Sequence, residues 1–371
     1  MKKKMLGILL CVAVMASLMA GCAKSSNTST TPSTSTSTST SKDGAIKIGV
    51  AMPTKDLQRW NQDGANMKAS LEKAGYTVDL QYANNDIATQ VSQIENMITD
   101  GCNVLVIASI DGGSLGTVLA SAKSQNIPVI AYDRLIMGTD AVSYYATFDN
   151  YKVGTIQGQY IVDKLDLKNQ AGPFNIELFT GSPDDNNARF FFNGAMDVLK
   201  PYIDNGKLNV VSGQKKFEEV ATLNWSTEEA QKRMENLITA HYASGTKLDA
   251  ILSSNDSVAI GITNALVNAG YTKDNFPILT GQDCDITSVK NIIAGTQSMS
   301  IFKDTRKLAD KVVEMVSAIV DKKEVPVNDT KTYDNGKGVV PTFLCDPVFA
   351  DASNYKQLLI DSGYYTEDQL K

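Results

Sequence analysis

Short apolar runs alternate with longer amphipathic stretches along most of this 371-residue chain. Apolar runs of four to six residues rich in Val and Ile are typical of strands, and apolar residues every three or four positions are typical of helices. The pattern predicts strands at 46–51, 77–82, 104–108, 128–132 and 144–148 and helices at 62–74, 87–99 and 115–125. The run Val104 to Ala108 is continuously apolar, which favours a strand covered on both faces.

The same alternation begins again after residue 148. It predicts strands at 175–179, 208–212, 250–253, 277–280 and 298–302 and helices at 153–165, 190–199, 227–242, 258–269, 286–294 and 305–320. Repeated strand–helix units form parallel sheets with right-handed crossovers. Two consecutive series therefore predict an α/β fold with two doubly wound, Rossmann-like lobes.

The first 43 residues have a different pattern. Three lysines, an apolar stretch from Met5 to Ala20 and then Gly21-Cys22 resemble a lipoprotein signal peptide over residues 1–21, with Cys22 as the lipidated residue. A transmembrane anchor is the alternative, but the apolar run is short and no stop-transfer pattern follows. Residues 22–43 are mostly Ser and Thr, so we expect a disordered tether behind the lipid.

Composition narrows the classes of function. The formal net charge is −6, which argues against nucleic-acid binding. The three cysteines after Cys22 (Cys102, Cys284 and Cys345) show no CxxC spacing, and His241 is the only histidine. We therefore expect no zinc site, no disulfide framework, no cofactor and no Ser-His-Asp triad.

Polar and aromatic residues follow nearly every predicted strand. Ligands of doubly wound sheets bind at the carboxyl ends of the strands, so these residues are the candidates for a site. Carboxylates and amides bind sugar hydroxyls with directional hydrogen bonds, and flat aromatic rings cover the C–H faces of a sugar. The sequence has two tryptophans, and each lies in a predicted loop after a strand: Trp60 in the first series and Trp225 in the second. We expect them either to enclose a sugar ring or to be apolar residues that pack beside the binding site.

Other chemistries have weaker support. The segment from Asp111 to Gly116 could bind phosphate, but it lacks the Lys-Ser/Thr of a P-loop and reads as a strand-to-helix turn. The acidic pairs Asp184/Asp185 and Asp283/Asp285 could suggest calcium binding or glycoside hydrolysis. The sequence has no twelve-residue calcium loop, and carboxylates in a sugar-binding cleft need no hydrolytic role to explain them.

Five segments carry a family resemblance: Ser92–Met97, Ala131–Arg134, Gly181–Asn187, Gly281–Asp283 and Ile301–Lys303. From Ile46 to Leu370 the sequence resembles bacterial periplasmic monosaccharide-binding proteins of ABC importers, with the type I fold. The similarity is greatest to the xylose-binding and multiple-sugar-binding members (galactose, glucose, arabinose and xylose). It implies a non-enzymatic receptor that closes on an aldose and delivers it to an ABC permease.

The resemblance also implies a set of ligand contacts. They are Arg59, Trp60, Asp111, Arg134, Asn186, Asn187, Trp225, Asn255, Asp283 and Lys303. Arg189 is either a further contact or a surface residue of its helix. The segment around Asp184 differs in spacing among relatives.

The family's chain order implies two lobes, 44–148 plus 303–340 and 149–302 plus 341–371, which are joined by a three-strand hinge and enclose the ligand cleft. We expect a monomer, lipid-anchored outside the cytoplasmic membrane, on a Gram-positive surface rather than in a periplasm. Other functions stay open: a sensor that presents sugar to a membrane histidine kinase or chemoreceptor, and a sugar-modifying enzyme. Repressors share the two-lobe core, but this chain has a signal sequence and tether where they have a DNA-binding segment.

Overall fold

The computed structural model describes residues 45–371. The predicted signal peptide, Cys22 and the predicted tether lie outside the described residues. The first series of elements is β1 (Lys47–Met52), α1 (Gln58–Lys73), β2 (Thr77–Tyr82), α2 (Ile87–Thr99), β3 (Val104–Ile107), α3 (Gly116–Ser124), β4 (Val129–Tyr132) and β5 (Tyr144–Phe148).

The second series follows directly. It consists of α4 (Asn150–Lys164), β6 (Phe174–Phe179), α5 (Asn186–Asp204), β7 (Leu208–Val210), α6 (Phe217–Val220), α7 (Thr227–Leu237), β8 (Ala250–Ser253), α8 (Asp256–Asn268), β9 (Ile278–Leu279), α9 (Ile286–Ala294) and β10 (Met299–Phe302). The chain ends with α10 (Thr305–Val320), β11 (Thr342–Cys345) and β12 (Val348–Asp351), and then with short helical turns at Lys356–Asp361 and Glu367–Leu370.

Two parallel sheets organise these elements. The first has the order β11-β5-β4-β3-β1-β2, and the second has the order β7-β6-β8-β9. Strands β10 and β12 form a separate antiparallel pair. We call the elements around the first sheet the first lobe, and those around the second sheet and the β10–β12 pair the second lobe. The predicted α/β fold with two doubly wound parallel sheets is confirmed.

Each lobe buries its own core because apolar strands face helices on both sides. In the first lobe α1 and α10 cover one face of the sheet through residues such as Met67, Leu71, Leu308 and Val312. Helices α2 and α3 cover the other face. Helix α10 follows the second sheet in the chain but packs on the first, as expected for the helix after the second crossing.

The chain crosses between the lobes three times, and the third crossing differs from the predicted limits. We placed the boundary at residue 341, but Thr342 to Cys345 pair in parallel with β5 at the edge of the first sheet. Only Val348 to Asp351 pair with the second-lobe strand β10. A free edge strand presents unpaired backbone groups, and pairing with β11 satisfies those of β5. The remaining lobe limits stay a prediction.

The start of α1 differs from its predicted position. We predicted a helix from residue 62, but it begins at Gln58, so Arg59 and Trp60 lie in its first turn rather than in a loop. Leu57 at the N-cap offers no side-chain acceptor, which removed the usual signal. Helix α5 also begins earlier than predicted, at Asn186, where Asp185 caps it by accepting from the amide of Asn187.

Glycines bring α4 and α5 into close contact beneath the second sheet. A Cβ atom at Gly154 would overlap the carbonyl oxygen of Phe191, and one at Gly194 would overlap that of Tyr151. These neighbours are backbone atoms of a packed helix pair, so they cannot move aside as a flexible side chain could. The two helices can therefore approach this closely only with glycine at both positions.

Gly154→Ala should lower the free energy of unfolding by at least about 2 kcal/mol, because the new methyl group must push the helices apart. Urea unfolding followed by circular dichroism measures it. Gly116→Ala is the matched control: a Cβ there meets no atom of residues 45–371 within 4 Å, so the variant should unfold at an equal or higher urea concentration. Equal midpoints for both variants would contradict the close-packing argument.

Candidate functional site

A cavity between the lobes collects side chains from the carboxyl ends of both sheets. Parallel sheets place all these strand ends on one edge, and here the two edges face each other. The lining residues are Leu57, Arg59, Trp60, Asp133, Arg134, Asp185, Asn187, Phe191, Trp225, Asn255, Ser257, Gln282, Asp283, Asp285 and Lys303. Most of them are polar or charged, and nearly all are buried.

A buried arginine, Arg59, joins the two lobes across this cavity. Its Nε lies 2.8 Å from Asp63 Oδ2 in the next turn of α1, and its terminal nitrogens bind Asp133 of the first lobe and Asp283 of the second. The distance from Arg59 Nη1 to Asp283 Oδ1 is 3.0 Å. Lys303, at the crossing after β10, lies 2.9 Å from the same Asp283 oxygen.

The charges of this network stabilise one another. Burial acts to lower the pKa of Arg59, but the three carboxylates outweigh it and raise the pKa well above its ordinary value. Burial acts to raise the pKa of Asp133, but Arg59 and Lys303 outweigh it, so the pKa lies below its ordinary value. Both groups therefore stay charged over the physiological range, and the contact between Arg59 and Asp133 is an ion pair.

A second set of contacts between the lobes lies beside this network. Arg134 Nε forms an ion pair across the lobes with Asp185 Oδ2 at 3.0 Å, and Arg134 Nη1 donates to the carbonyl oxygen of Ser109 in its own lobe at 3.1 Å. Asn187 Nδ2 donates to the carbonyl oxygen of Asp133 at 2.6 Å, and Asn187 Oδ1 accepts from the Tyr145 hydroxyl at 3.0 Å. Asn187 therefore connects the start of α5 to the strand ends of the first lobe.

The wall that the second lobe contributes to the cavity carries two neighbouring acidic residues. Asp285 lines it next to Asp283, and its Oδ1 is buried with no hydrogen-bond partner among residues 45–371. Burial and the Asp283 carboxylate raise the pKa of Asp285 to about 7, although Arg59 and Lys303 act in the opposite direction. Asp256 lies behind this wall and accepts from the Ser300 hydroxyl, from Gln297 and from the backbone amide of Asp285. Burial raises the pKa of Asp256 well above its ordinary value.

Each lobe contributes one tryptophan to the lining. Trp60 has the guanidinium groups of Arg59 and Arg134 at 5.2 and 5.0 Å from its ring, within cation–π range. Trp225 is only 5% exposed and lies against Gly181, where a Cβ atom would overlap its ring. Its ring centre is 6.2 Å from that of Phe191 in an edge-to-face arrangement. Both tryptophans are thus positioned by neighbours rather than free to rotate.

A family model described as a periplasmic binding protein domain matches residues 48–324. The chain belongs to the periplasmic binding protein family. It is 55% identical over 326 residues to the multiple sugar-binding periplasmic protein SbpA of Azospirillum brasilense, covering 87% of this chain and 91% of that one. It is 39% identical over 325 residues to the D-xylose-binding periplasmic protein of Escherichia coli K12, covering 88% and 92%.

A solved member of this family is also similar along its whole length. An ABC-transporter solute-binding protein of Clostridium phytofermentans, whose crystal structure contains β-D-glucose, is 69% identical. The match covers 88% of this chain and 100% of that one, with a TM-score of 0.86. The predicted resemblance to sugar-binding proteins of ABC importers is confirmed at the level of the family.

Eight of the ten residues predicted as ligand contacts line the cavity. They are Arg59, Trp60, Arg134, Asn187, Trp225, Asn255, Asp283 and Lys303. Asn255 also caps α8, since its side chain accepts from the amide of Val258 at 3.0 Å. The structure brings these residues together, and their contact with a ligand stays a prediction.

Two predicted contacts, Asp111 and Asn186, are not among the lining residues. Asp111 closes its own turn instead: its carboxylate accepts from the Gly113 amide at 2.8 Å and from the Ser114 hydroxyl at 2.5 Å. Asn186 occupies the first position of α5 and is half-buried outside the cavity. Arg189 is exposed and pairs with Glu218 at 3.2 Å, so it is a surface residue of its helix.

Several lining residues are absent from the predicted ligand set. Asp133 stands in the Asp133-Arg134 pair after β4, so its strand-end position was a usable signal. Asp185 and Asp285 each belong to an acidic pair, which in sequence indicates a charged loop and not a ligand contact. The apolar residues Leu57 and Phe191 carry no sequence signal that distinguishes them from core residues. Leu57 and Phe191 line the cavity only because the two lobes approach each other there.

Residues 45–371 contain no group of three or more His, Cys, Asp or Glu residues arranged to hold a metal ion. None of the helices in this part of the chain is long and apolar enough to cross a membrane. The described cysteines are unpaired: Cys102 and Cys284 are buried and Cys345 is half-buried.

Asp285→Asn should stabilise the protein at neutral and higher pH. In the unfolded chain this carboxyl has a pKa of about 3.8, against about 7 in the fold. The folded protein therefore binds more protons between these values, so stability contributed by the protonated form is lost as pH rises from about 4 to about 7. The melting temperature of the variant should be several degrees above that of the wild type at about pH 8. At about pH 4 the two melting temperatures should be nearly equal.

Differential scanning calorimetry at both pH values measures this difference. Asp274→Asn, an exposed position in the same lobe, is the control and should change neither melting temperature. A gain of the same size at both pH values would show that ionisation of Asp285 does not cost stability.

Proposed function

We propose that this protein is an extracytoplasmic receptor that captures a monosaccharide by closing its two lobes and delivers it to an ABC importer. The observation that carries the proposal is the composition of the cavity. Carboxylates, amides and cations from both lobes converge there, together with one tryptophan from each lobe. Hydroxyl-rich rings with C–H faces are the ligands for which such a lining provides both kinds of contact.

The charge balance of the cavity favours a neutral sugar over a sugar acid or a sugar phosphate. Three cations line it (Arg59, Arg134 and Lys303), and four carboxylates face them (Asp133, Asp185, Asp283 and Asp285). Each cation already lies within 4 Å of a carboxylate oxygen. An anionic ligand would therefore have to displace one of these carboxylates, whereas hydroxyls can accept from the cations and donate to the carboxylates together.

The names of the relatives support the same class of ligand. The similar proteins from Azospirillum and Escherichia are described as binding multiple sugars and D-xylose, and the one from Clostridium was solved with β-D-glucose. An aldose such as xylose, glucose, galactose or arabinose is therefore the proposed ligand. A ligand enclosed by both lobes is expected to bind with micromolar affinity, about −8 kcal/mol.

The proposed place of action is the outer face of the cytoplasmic membrane. We propose that Cys22 carries the lipid, that residues 22–43 act as a tether, and that the protein works as a monomer within reach of its permease. A tether of about 20 residues has a root-mean-square reach of roughly 25 Å. The length of this Ser/Thr segment favours a Gram-positive surface. Nothing in residues 45–371 favours the sensory or enzymatic alternatives over transport.

Isothermal titration calorimetry with xylose, glucose, galactose and arabinose tests the proposal. At least one of these sugars should bind with micromolar affinity and should be recovered unchanged from the complex. Glucuronate and glucose 6-phosphate are the matched anionic ligands and should bind far more weakly. Absence of binding by all four neutral sugars would refute the proposal, and tighter binding of the anions would refute the argument from charge balance.

Trp225→Ala should weaken sugar binding more than tenfold, because the ring removes C–H surface of the sugar from water. The change also leaves a cavity beside Phe191 and Gly181, so the variant should unfold more easily than the wild type. Phe217→Ala is the matched control: Phe217 is a buried aromatic residue of the same lobe, packed on Phe192 and outside the cavity. It should lower stability and leave sugar affinity unchanged. Equal affinities of the two variants would contradict a direct contact by Trp225.

A further inference from the structure

A hydrogen-bonded cluster joins the two lobes on the outer side of the cavity wall. It contains Gln58 and Gln62, both half-buried in the first two turns of α1, and Tyr364 and Tyr365 of the C-terminal segment. That segment packs on the second lobe, since Tyr365 belongs to the same buried cluster as Cys284, Val289 and Phe302. The cluster therefore connects a first-lobe helix to a second-lobe tail.

The Tyr365 hydroxyl is the centre of this cluster. It donates to the carbonyl oxygen of Cys284 at 2.9 Å and accepts from Gln58 Nε2 at 2.7 Å and from Gln62 Nε2 at 3.0 Å. A hydroxyl has one hydrogen and two lone pairs, so its bonding capacity is complete. Tyr365 is 3% exposed, and these bonds are thus largely shielded from water.

Gln58 makes a second bond across the lobes. Its Oε1 accepts from the backbone amide of Ile286 at 3.1 Å, at the first turn of α9. First-turn amides of a helix have no partner within the helix, and Asp285, the N-cap residue, makes no side-chain cap here. A glutamine from the other lobe therefore performs the capping function and leaves the Asp285 carboxylate facing the cavity.

These bonds join the same two segments that meet inside the cavity. Gln58 directly precedes Arg59, and the carbonyl of Cys284 and the amide of Ile286 belong to the loop that carries Asp283 and Asp285. Separation of the lobes that breaks the Arg59–Asp283 ion pair must also pull Gln58 away from Ile286 and Tyr365. In residues 45–371, the side chains of Gln58, Gln62 and Tyr365 are not among those that line the cavity.

We propose that Gln58, Gln62 and Tyr365 form a latch that stabilises the closed arrangement of the lobes without contacting the ligand. The inference rests on the proposed function, because it concerns how closure sets the affinity for a sugar. The apparent affinity of a closing receptor is its intrinsic affinity reduced by the fraction of molecules in the binding-competent state. A latch residue therefore changes the affinity for every sugar by one common factor, whereas a cavity residue changes it sugar by sugar.

The test compares Tyr365→Phe and Gln62→Ala with the wild type by calorimetric titration of xylose, glucose, galactose and arabinose. A net hydrogen bond contributes about 0.5–1.5 kcal/mol, so each variant should bind about twofold to tenfold more weakly. The factor should be the same for every sugar that the wild type binds. The double variant should lose less than the product of the single losses, since both changes remove the bond between Gln62 and Tyr365.

Two comparison variants sharpen the test. Tyr355→Phe is the matched control, because Tyr355 is in the same tail and its hydroxyl makes no hydrogen bond within residues 45–371; its affinities should equal those of the wild type. Asp283→Asn changes a cavity residue and should reorder the affinities. A Tyr365→Phe variant that binds as the wild type does, or one that reorders the sugars, would overturn the proposal. Gln62→Ala changes only a half-buried helix residue and keeps the test available if Tyr365→Phe does not fold.

Small-angle X-ray scattering without sugar separates failure of the latch from failure of the proposed function. Tyr365→Phe should have a larger radius of gyration than the wild type and Tyr355→Phe, because the closed arrangement loses part of its stabilisation. This outcome together with no sugar binding by the wild type would retain the latch and refute the sugar-binding function. Equal radii for the three proteins would refute the latch, whatever the wild type binds.

Discussion

The buried guanidinium of Arg59 is the interaction on which the arrangement of the cavity depends. A cation in this position loses its hydration, and the loss is offset only if carboxylates surround it. Asp63 lies on its own helix, Asp133 on another strand end of the same lobe, and Asp283 on the other lobe. The first two hold the guanidinium in place when the lobes separate, and the third is available only when they meet. Arg59 is therefore both a fixed part of the first lobe and a partner for the second.

The other charged residues of the cavity are also balanced, either by an ion pair or by a shifted pKa. Lys303 shares Asp283 with Arg59, and Arg134 pairs with Asp185, so the cations of the lining all have partners. Asp285 forms no ion pair within residues 45–371, and burial together with the Asp283 carboxylate raises its pKa. A carboxyl that is protonated at mildly acid pH can donate a hydrogen bond where its neighbours only accept. The cavity thereby presents donors and acceptors in the mixture that sugar hydroxyls require.

The fold could be predicted from sequence because it depends on local periodicity, and the site could be predicted only in part. Alternating strands and helices gave the two sheets, and strand ends gave most of the lining. Asp111 was misplaced because its carboxylate satisfies its own turn, a short-range preference that a strand-end rule ignores. Asn186 and Asn187 differ by one helical position, about 100°, so only one of them can face the cavity. The start of α1 was missed because Leu57 gives no capping signal.

Contacts between distant segments were beyond sequence reasoning for a physical reason. Gln58 and Tyr365 are 307 residues apart, and nothing in either local sequence requires the other. Yet such contacts, like that of Asn187 with the Asp133 carbonyl, stabilise the closed arrangement relative to the open one even without a ligand. A ligand must therefore supply only the remaining free energy that is needed to favour the closed arrangement over the open one. Selectivity can then reside in the few cavity groups that touch hydroxyls, while contacts outside the cavity adjust affinity for all ligands together. A receptor built in this way can accept several related sugars without a separate set of contacts for each.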